Sequence, residues 1–254
     1  MKYFYSLISL LSLFLQWGCS SAIETTNLSA EDRLSYAIKL YNDEDYEAAV
    51  NELQAIILQY PGNAVGDDAQ YYLAMTRFQR TEYIMAAFEF SRLIKNMPAS
   101  DFVPGAQYML AESYYELSPD FTLDQQYTRK AIEEYQAFID FFPTNEKVAE
   151  AEKKINELNE KLAHKAFNTA YIYEKLEYFT AALIYYNNVT ELYHDTFYAP
   201  LAMYNRIKIF IDSERNSEAL AEATKFLQRY PDNSRAAEIG QIKTSLENKL
   251  SAAK

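Results

Sequence analysis

The sequence predicts an all-α solenoid of about five helix–turn–helix units, with no β-sheet. Three observations predict it. From about residue 31 onward, apolar residues recur at spacings of three and four, the period of an amphipathic helix, and no stretch sustains the alternation of a half-buried strand. Gly is scarce, at 5 in 254 residues, and Pro appears only at intervals. Four times an Ala is followed, twelve residues later, by a Pro that closes an apolar run: Ala49–Pro61, Ala86–Pro98, Ala131–Pro143 and Ala219–Pro231.

The first segment is read separately. Met1 and Lys2 make a positive start, and residues 3–15 are apolar apart from two Ser. That run is too short for a membrane span, which needs about 20 apolar residues, and has the length of a secretory signal core. Gln16-Trp17-Gly18-Cys19 follows and resembles a bacterial lipobox. The resemblance implies a signal peptide over 1–18, cleavage before Cys19, a lipid on its thiol, and a tether over 19–30. Acyl chains contribute about 0.8 kcal/mol per buried CH2 to membrane anchoring. By resemblance to bacterial sorting rules, Ser20-Ser21 and the AIETT run after them point to the periplasmic face of the outer membrane.

The repeat units come next. A further copy without Pro is aligned on Ala181, with Tyr193 in the Pro place. Four residues after each Ala stand Leu53, Phe90, Tyr135, Tyr185 and Ala223; eight after stand Ile57, Ile94, Ile139, Val189 and Leu227; eleven after stand Tyr60, Met97, Phe142, Leu192 and Tyr230. These columns are expected on one buried helical face. Ala37, Ala74 and Ala111 are the small residues of the preceding helix in the first three copies, with Thr169 and Ile207 in the last two. This pattern resembles the tetratricopeptide repeat, in which helix A and helix B pack at small residues and units must stack to bury their apolar faces. The third copy inserts Leu117 to Asp124, with Pro119 forcing a loop and Asp124 placed to cap the next helix. The fourth opens on a long, highly charged helix over about 145–175, suited to bridging two halves of the array. Residues 234–250 read as a capping helix with Leu246 and Leu250 inward. The array divides into repeats one to three (31–143) and a second part (144–254) with the long helix, repeats four and five and the cap.

The order and spacing of several degenerate motifs are narrower. Ser118-Pro119-Asp120 and Asp124-Gln125 lead into Ala131-Ile132-Glu133, Gln136, Phe138-Ile139 and Pro143. Leu158 and Leu162-Ala163, then Ala170-Tyr171, Tyr178 and Ala181-Ala182, continue into Tyr193, Asp195-Thr196 and Leu201-Ala202. Over about 28–235 the chain resembles the BamD family, lipoproteins of the outer-membrane β-barrel assembly machine. The resemblance implies a BamA-like β-barrel assembly protein docked on the C-terminal repeats. It also implies a groove on the N-terminal repeats for unfolded outer-membrane proteins, and outer-membrane lipid met through the anchor.

A receptor for the aromatic end of an unfolded barrel strand needs an apolar, partly polar concave surface. Helix A lines the inner surface of such solenoids. The groove is therefore expected on Leu34, Ile38 and Tyr41 of the first helix A, Tyr71, Met75 and Phe78 of the second, and Tyr108, Glu112 and Tyr115 of the third. Tyr offers contact area and a hydroxyl at low entropy cost, and Met adapts to varied partners. Some of these Tyr are also expected to pack between repeats. Arg77 and Arg80 could pair with a client carboxylate but more often read as surface charges or partners of Asp67 and Asp68; His164 reads as solvated, His194 as structural, and Asp43-Glu44-Asp45 with Glu47 as turn and helix N-terminal charge.

Composition excludes other classes. One Cys and two His provide neither an internal disulfide nor a Cys/His zinc site. Neither G-x-G-x-x-G nor the P-loop pattern occurs, and no nucleophile–base–orienter set is visible, so no enzyme and no cofactor beyond the covalent lipid is expected. A net charge of −12 argues against nucleic acid as a partner. The alternative reading is another tetratricopeptide envelope lipoprotein, such as a pilus-assembly pilotin. Carbohydrate-capture lipoproteins of the SusD type are much longer, with large non-repeat insertions.

Overall fold

The computed structural model describes residues 27–252 apart from Asn63. The signal segment 1–18 and Cys19 lie outside the described residues. Within them the chain forms eleven α-helices and no strand: α1 (Ala30–Asn42), α2 (Tyr46–Gln59), α3 (Gly66–Gln79), α4 (Tyr83–Asn96), α5 (Val103–Glu116), α6 (Gln126–Phe141), α7 (Val148–Lys175), α8 (Phe179–Leu192), α9 (Tyr198–Asp212), α10 (Asn216–Arg229) and α11 (Ala236–Ala252). Each helix packs mainly on its two sequence neighbours, so the pairs α1–α2, α3–α4, α5–α6, α7–α8 and α9–α10 are five stacked helix A/helix B units closed by α11.

Local chemistry sets the helix ends. Ser29 caps α1 by accepting from the Asp32 amide at 3.1 Å, and Asp45 caps α2 by accepting from Ala48 at 3.3 Å. Every helix B ends on a residue with φ between −122° and −132°: Tyr60, Met97, Phe142, Tyr193 and Tyr230. Pro61, Pro98, Pro143 and Pro231 keep the residue before them out of the α region. Tyr193 adopts the same conformation with His194 in the Pro place, so tertiary packing suffices there. The short A-to-B turns share one device. Glu44, Thr81, Glu177 and Glu214 all have φ between 58° and 62°. The next amide reaches back five residues to close the helix, as from Asp45 to the Leu40 carbonyl at 2.9 Å and from Glu82 to Arg77 at 3.0 Å.

The core corrects the sequence register at two points. In the fourth repeat Ala182, not Ala181, is fully buried, and its helix-A counterpart is Ala170, not Thr169. Without a Pro to mark the end of α8, the alignment had slipped by one. The correct small-residue column is thus Ala37, Ala74, Ala111 and Ala170, with Ile207 in the fifth repeat, facing Ala49, Ala86, Ala131, Ala182 and Ala219; all are 0 % exposed. Second, the buried position of helix B lies seven residues after its Ala: Ile56, Leu93, Phe138, Val189 and Phe226. Ile57, Ile94, Ile139 and Leu227, one residue on, are half-buried. Seven residues nearly complete two helical turns, whereas an eighth rotates the side chain off the axis of contact.

The long helix α7 organises the whole. Its first half places Ala151, Ile155 and Leu158 against Tyr108, Tyr135 and Phe138, covering repeat three. Its second half packs Ala166, Phe167 and Ala170 with α8 and α9 as helix A of repeat four. Repeats four and five are therefore displaced along α7 by about half its length. The inserted loop of repeat three fills the step this leaves. Lys165 Nζ donates to the carbonyls of Phe121, Thr122 and Leu123 at 3.0–3.2 Å, and Lys161 Nζ to Ser118 Oγ at 2.8 Å. His164 is not solvated, as its charged neighbours suggested. Its ring lies between Phe121, at 3.7 Å, and Tyr198, at 4.8 Å. Asp124 accepts from the Gln126 amide at 2.8 Å, with Gln125 standing at the cap position itself. In the cap helix Leu246 is buried and Leu250 half-buried.

Thr81 is a β-branched residue held in the left-handed region, where an L side chain costs about 1–2 kcal/mol. Thr81→Gly should raise stability by about 1 kcal/mol in urea melts. Thr76→Gly, in the middle of α3, should lower it.

Candidate binding groove and open helix face

The nine residues expected to line a groove occupy three equivalent positions of helix A. Counted from the small residue they lie three before, one after and four after it, in α1, α3 and α5 alike. The same stripe continues as Phe167, Tyr171 and Glu174 on α7 and Tyr204, Lys208 and Ile211 on α9. The sequence reading stopped at the third repeat because the family resemblance placed the groove on the N-terminal repeats.

Along the stripe the side chains interlock. Leu34 and Tyr108 are buried, at 8 % and 3 % exposure, and present no surface. Ile38, Tyr41, Tyr71, Met75, Phe78, Glu112 and Tyr115 are half-buried. Tyr41 meets Tyr72 edge-on at 5.7 Å, Phe78 meets Tyr83 at 5.2 Å, and Tyr71 stacks on Phe102 at 4.6 Å. Gly105 makes the last contact possible: a Cβ there would lie 3.3 Å from the Tyr71 hydroxyl. Arg77 pairs with Glu82, and Arg80 with Glu82 and Glu47, rather than with Asp67 or Asp68. Asp67 instead accepts from Ser100 Oγ at 2.7 Å.

Beneath the stripe runs a row of polar pairs between helix A and helix B of one repeat: Arg33–Glu52 at 2.6 Å, Gln70–Glu89 at 2.7 Å and Gln107–Glu134 at 2.8 Å. The row stops at the step. Ala166 and Met203 hold the helix-A position in repeats four and five, and Glu222 meets Arg206 instead, at 2.9 Å.

Glu112 differs from the apolar residues at its position. It takes a hydrogen bond from the Tyr135 hydroxyl and both its oxygens lie 2.6 Å from Lys154 Nζ on α7. Lys154 also sits 4.5 Å from the centre of the Tyr115 ring, and Lys147 sits 4.3 Å from that of Tyr108. This carboxylate joins the third repeat to the long helix. Burial, then the neighbouring Glu112, pushes the Tyr108 and Tyr135 hydroxyls well above the ordinary tyrosine value near 10.

A second surface is apolar and open. Tyr171, Ile172, Leu176, Tyr178 and Phe179, around the α7–α8 turn, are 40–62 % exposed. Scattered exposed apolar residues are ordinary, and five within nine positions are a denser cluster than that. Among the described residues no three His, Cys, Asp or Glu gather as a metal site.

Because folding holds protons on Tyr108 and Tyr135 that the unfolded chain releases above about pH 10, stability should be fully present below that pH and fall as pH rises past it. The urea midpoint at pH 11 should be lower than at pH 9, and Tyr135→Phe should reduce the difference.

Known sequences match most of this chain. The family model described as an outer membrane lipoprotein, YfiO, matches residues 29–214, which includes the inserted loop and the whole of α7. A Rickettsia prowazekii protein named outer membrane protein assembly factor BamD is 26 % identical over 218 residues, covering 85 % of this chain and 87 % of that one. Its Caulobacter vibrioides namesake is 22 % identical over 207 residues, covering 80 % and 68 %. A putative counterpart in Aquifex aeolicus is 23 % identical over 245 residues, covering 95 % and 80 %. The chain belongs to the YfiO family of outer membrane lipoproteins, non-catalytic tetratricopeptide-repeat scaffolds of the BamD kind.

Proposed function

We propose that this protein is a lipid-anchored scaffold of outer-membrane β-barrel assembly. The observation that carries the reading is the family match across both halves of the array and the α7 step between them. Cys19 carries the lipid after removal of residues 1–18, and the folded part hangs on the periplasmic face of the outer membrane. Tyr60 ties the start of the fold to the first repeat by donating to the Leu28 carbonyl at 3.2 Å, so the tether enters beside α2.

Two faces divide the work. The groove for unfolded outer-membrane proteins is the half-buried part of the helix-A stripe: Ile38, Tyr41, Tyr71, Met75, Phe78, Glu112 and Tyr115, with Leu34 and Tyr108 supporting it from behind. Its aromatic edges suit the aromatic end of a barrel strand. Shallow, half-exposed contacts suit a client that must be released. The BamA-like assembly protein docks on repeats four and five, which α7 holds at a fixed offset from the groove. Relatives named outer membrane protein assembly factor BamD support the assembly role from which this division is drawn.

Cys19→Ala should move the protein from the membrane to the soluble fraction; retention in outer membrane would remove the anchor from the proposal. A pull-down from crosslinked envelopes should recover a large β-barrel with periplasmic domains, whereas pilus components would favour the pilotin reading. Phe78→Glu should weaken binding of a synthetic C-terminal barrel-strand peptide at least tenfold, with a far-ultraviolet melt checking that the fold survives.

A further inference from the structure

The step in the array leaves one helix face without its usual cover. In a stacked array, each helix A is covered on one side by helix B of the preceding repeat. The residue two places after the small residue of helix A reports this cover. It is Thr76 in α3, Ser113 in α5 and Ile209 in α9, at 0 %, 0 % and 3 % exposure. In α7 it is Ile172, at 50 %. The preceding helix, α6, packs on the first half of α7 and contributes nothing to the core of repeat four. Four residues beyond Ile172, on the same face, Leu176 is 57 % exposed. Among the described residues no helix precedes α1 either, and there the matching residues are Lys39 and, at the C-cap of α1, Asp43, both exposed and charged. One open end is built for water and the other is not.

We propose that this face of α7 is a docking site for a single amphipathic α-helix of a partner protein, lying where a preceding helix B lies elsewhere in the array. The site comprises Thr169, Ile172 and Leu176, with Tyr171 and Tyr178 at its rims. The interface is continuous with the one α6 makes on the first half of the same helix, so a docked helix would extend an existing packing geometry. Among the described residues no helix is left over for the place: α11, the last of them, already packs on α10.

The repeats also specify the occupant. The helices that fill the equivalent places present Ile56, Leu93 and Val189 with a small residue seven positions earlier, so the docked helix needs apolar residues at that spacing. Helix B runs antiparallel to the helix A that follows it. The C-terminus of the occupant would therefore face the inserted loop, where Asp120, Leu123 and Asp124 are exposed, and its N-terminus would face Lys175. A basic last turn and an acidic first turn complement both the side chains and the helix dipole.

The test places a photoreactive benzoylphenylalanine at Ile172, Leu176 or Lys39 of the full chain in its native envelope and maps crosslinked peptides by mass spectrometry. Ile172 and Leu176 should both mark one helical segment of another protein, with the apolar spacing and charge order above, and Lys39 should not. Ile172→Asp, at a solvent-facing site, should cut the Leu176 adduct at least tenfold with an unchanged thermal midpoint. Adducts to a second copy, to lipid or to a strand segment, or none at all, would overturn the proposal. It rests on the step in α7 and not on the lipid anchor, so a failed fractionation of Cys19→Ala leaves it standing.

Discussion

A helix pair of this kind cannot bury its own apolar face, and the rest of the structure depends on that constraint. Helix A and helix B approach closely only where the small-residue column lets them, at Ala37 against Ala49 and its successors, all without solvent exposure. The large side chains beside those Ala, such as Phe90 and Phe226, are then buried, each contributing about 1.5–3 kcal/mol relative to exposure. Much of their cover comes from the neighbouring repeat, so stability propagates along the array.

Helix α7 meets this constraint twice. With 28 residues it is twice the length of α8. Its first half closes repeats one to three and its second half opens repeats four and five. A displaced array would leave a gap at the step, and the inserted loop of repeat three closes it with two lysines and a histidine stack. Lys165 binds loop carbonyls that no helix ladder uses, and Lys161 binds the Ser118 hydroxyl. The cost of the step is one uncovered apolar face, and that face sits on the half of the molecule assigned to docking.

The aromatic residues divide along the same line. Tyr108 and Tyr135 are packing and hydrogen-bonding parts of the third repeat, organised around Glu112 and Lys154. Tyr171 and Tyr178 stand in solvent. Composition reports both sets as the same 23 Tyr, and periodicity places both on helices. Only the cover of a neighbouring helix separates them.

The amino-acid sequence by itself determined the elements: helical period, four Pro that stop helix B, the insertion at Pro119 and the long charged helix were all legible because each acts through local backbone chemistry. The helix-A stripe was legible for the first three repeats, where Ala and Pro mark the register. It failed by one residue in the fourth, where His194 stands in for Pro and only burial distinguishes Ala182 from Ala181. Arg77, Arg80 and His164 were misread for a related reason, since their partners lie on other helices or loops. Tertiary structure alone decided the displacement along α7, the closure of the step by the loop, and which apolar residues stay exposed. Those outcomes depend on which half of a uniform helix each neighbour covers, and a helical period repeats identically in both halves.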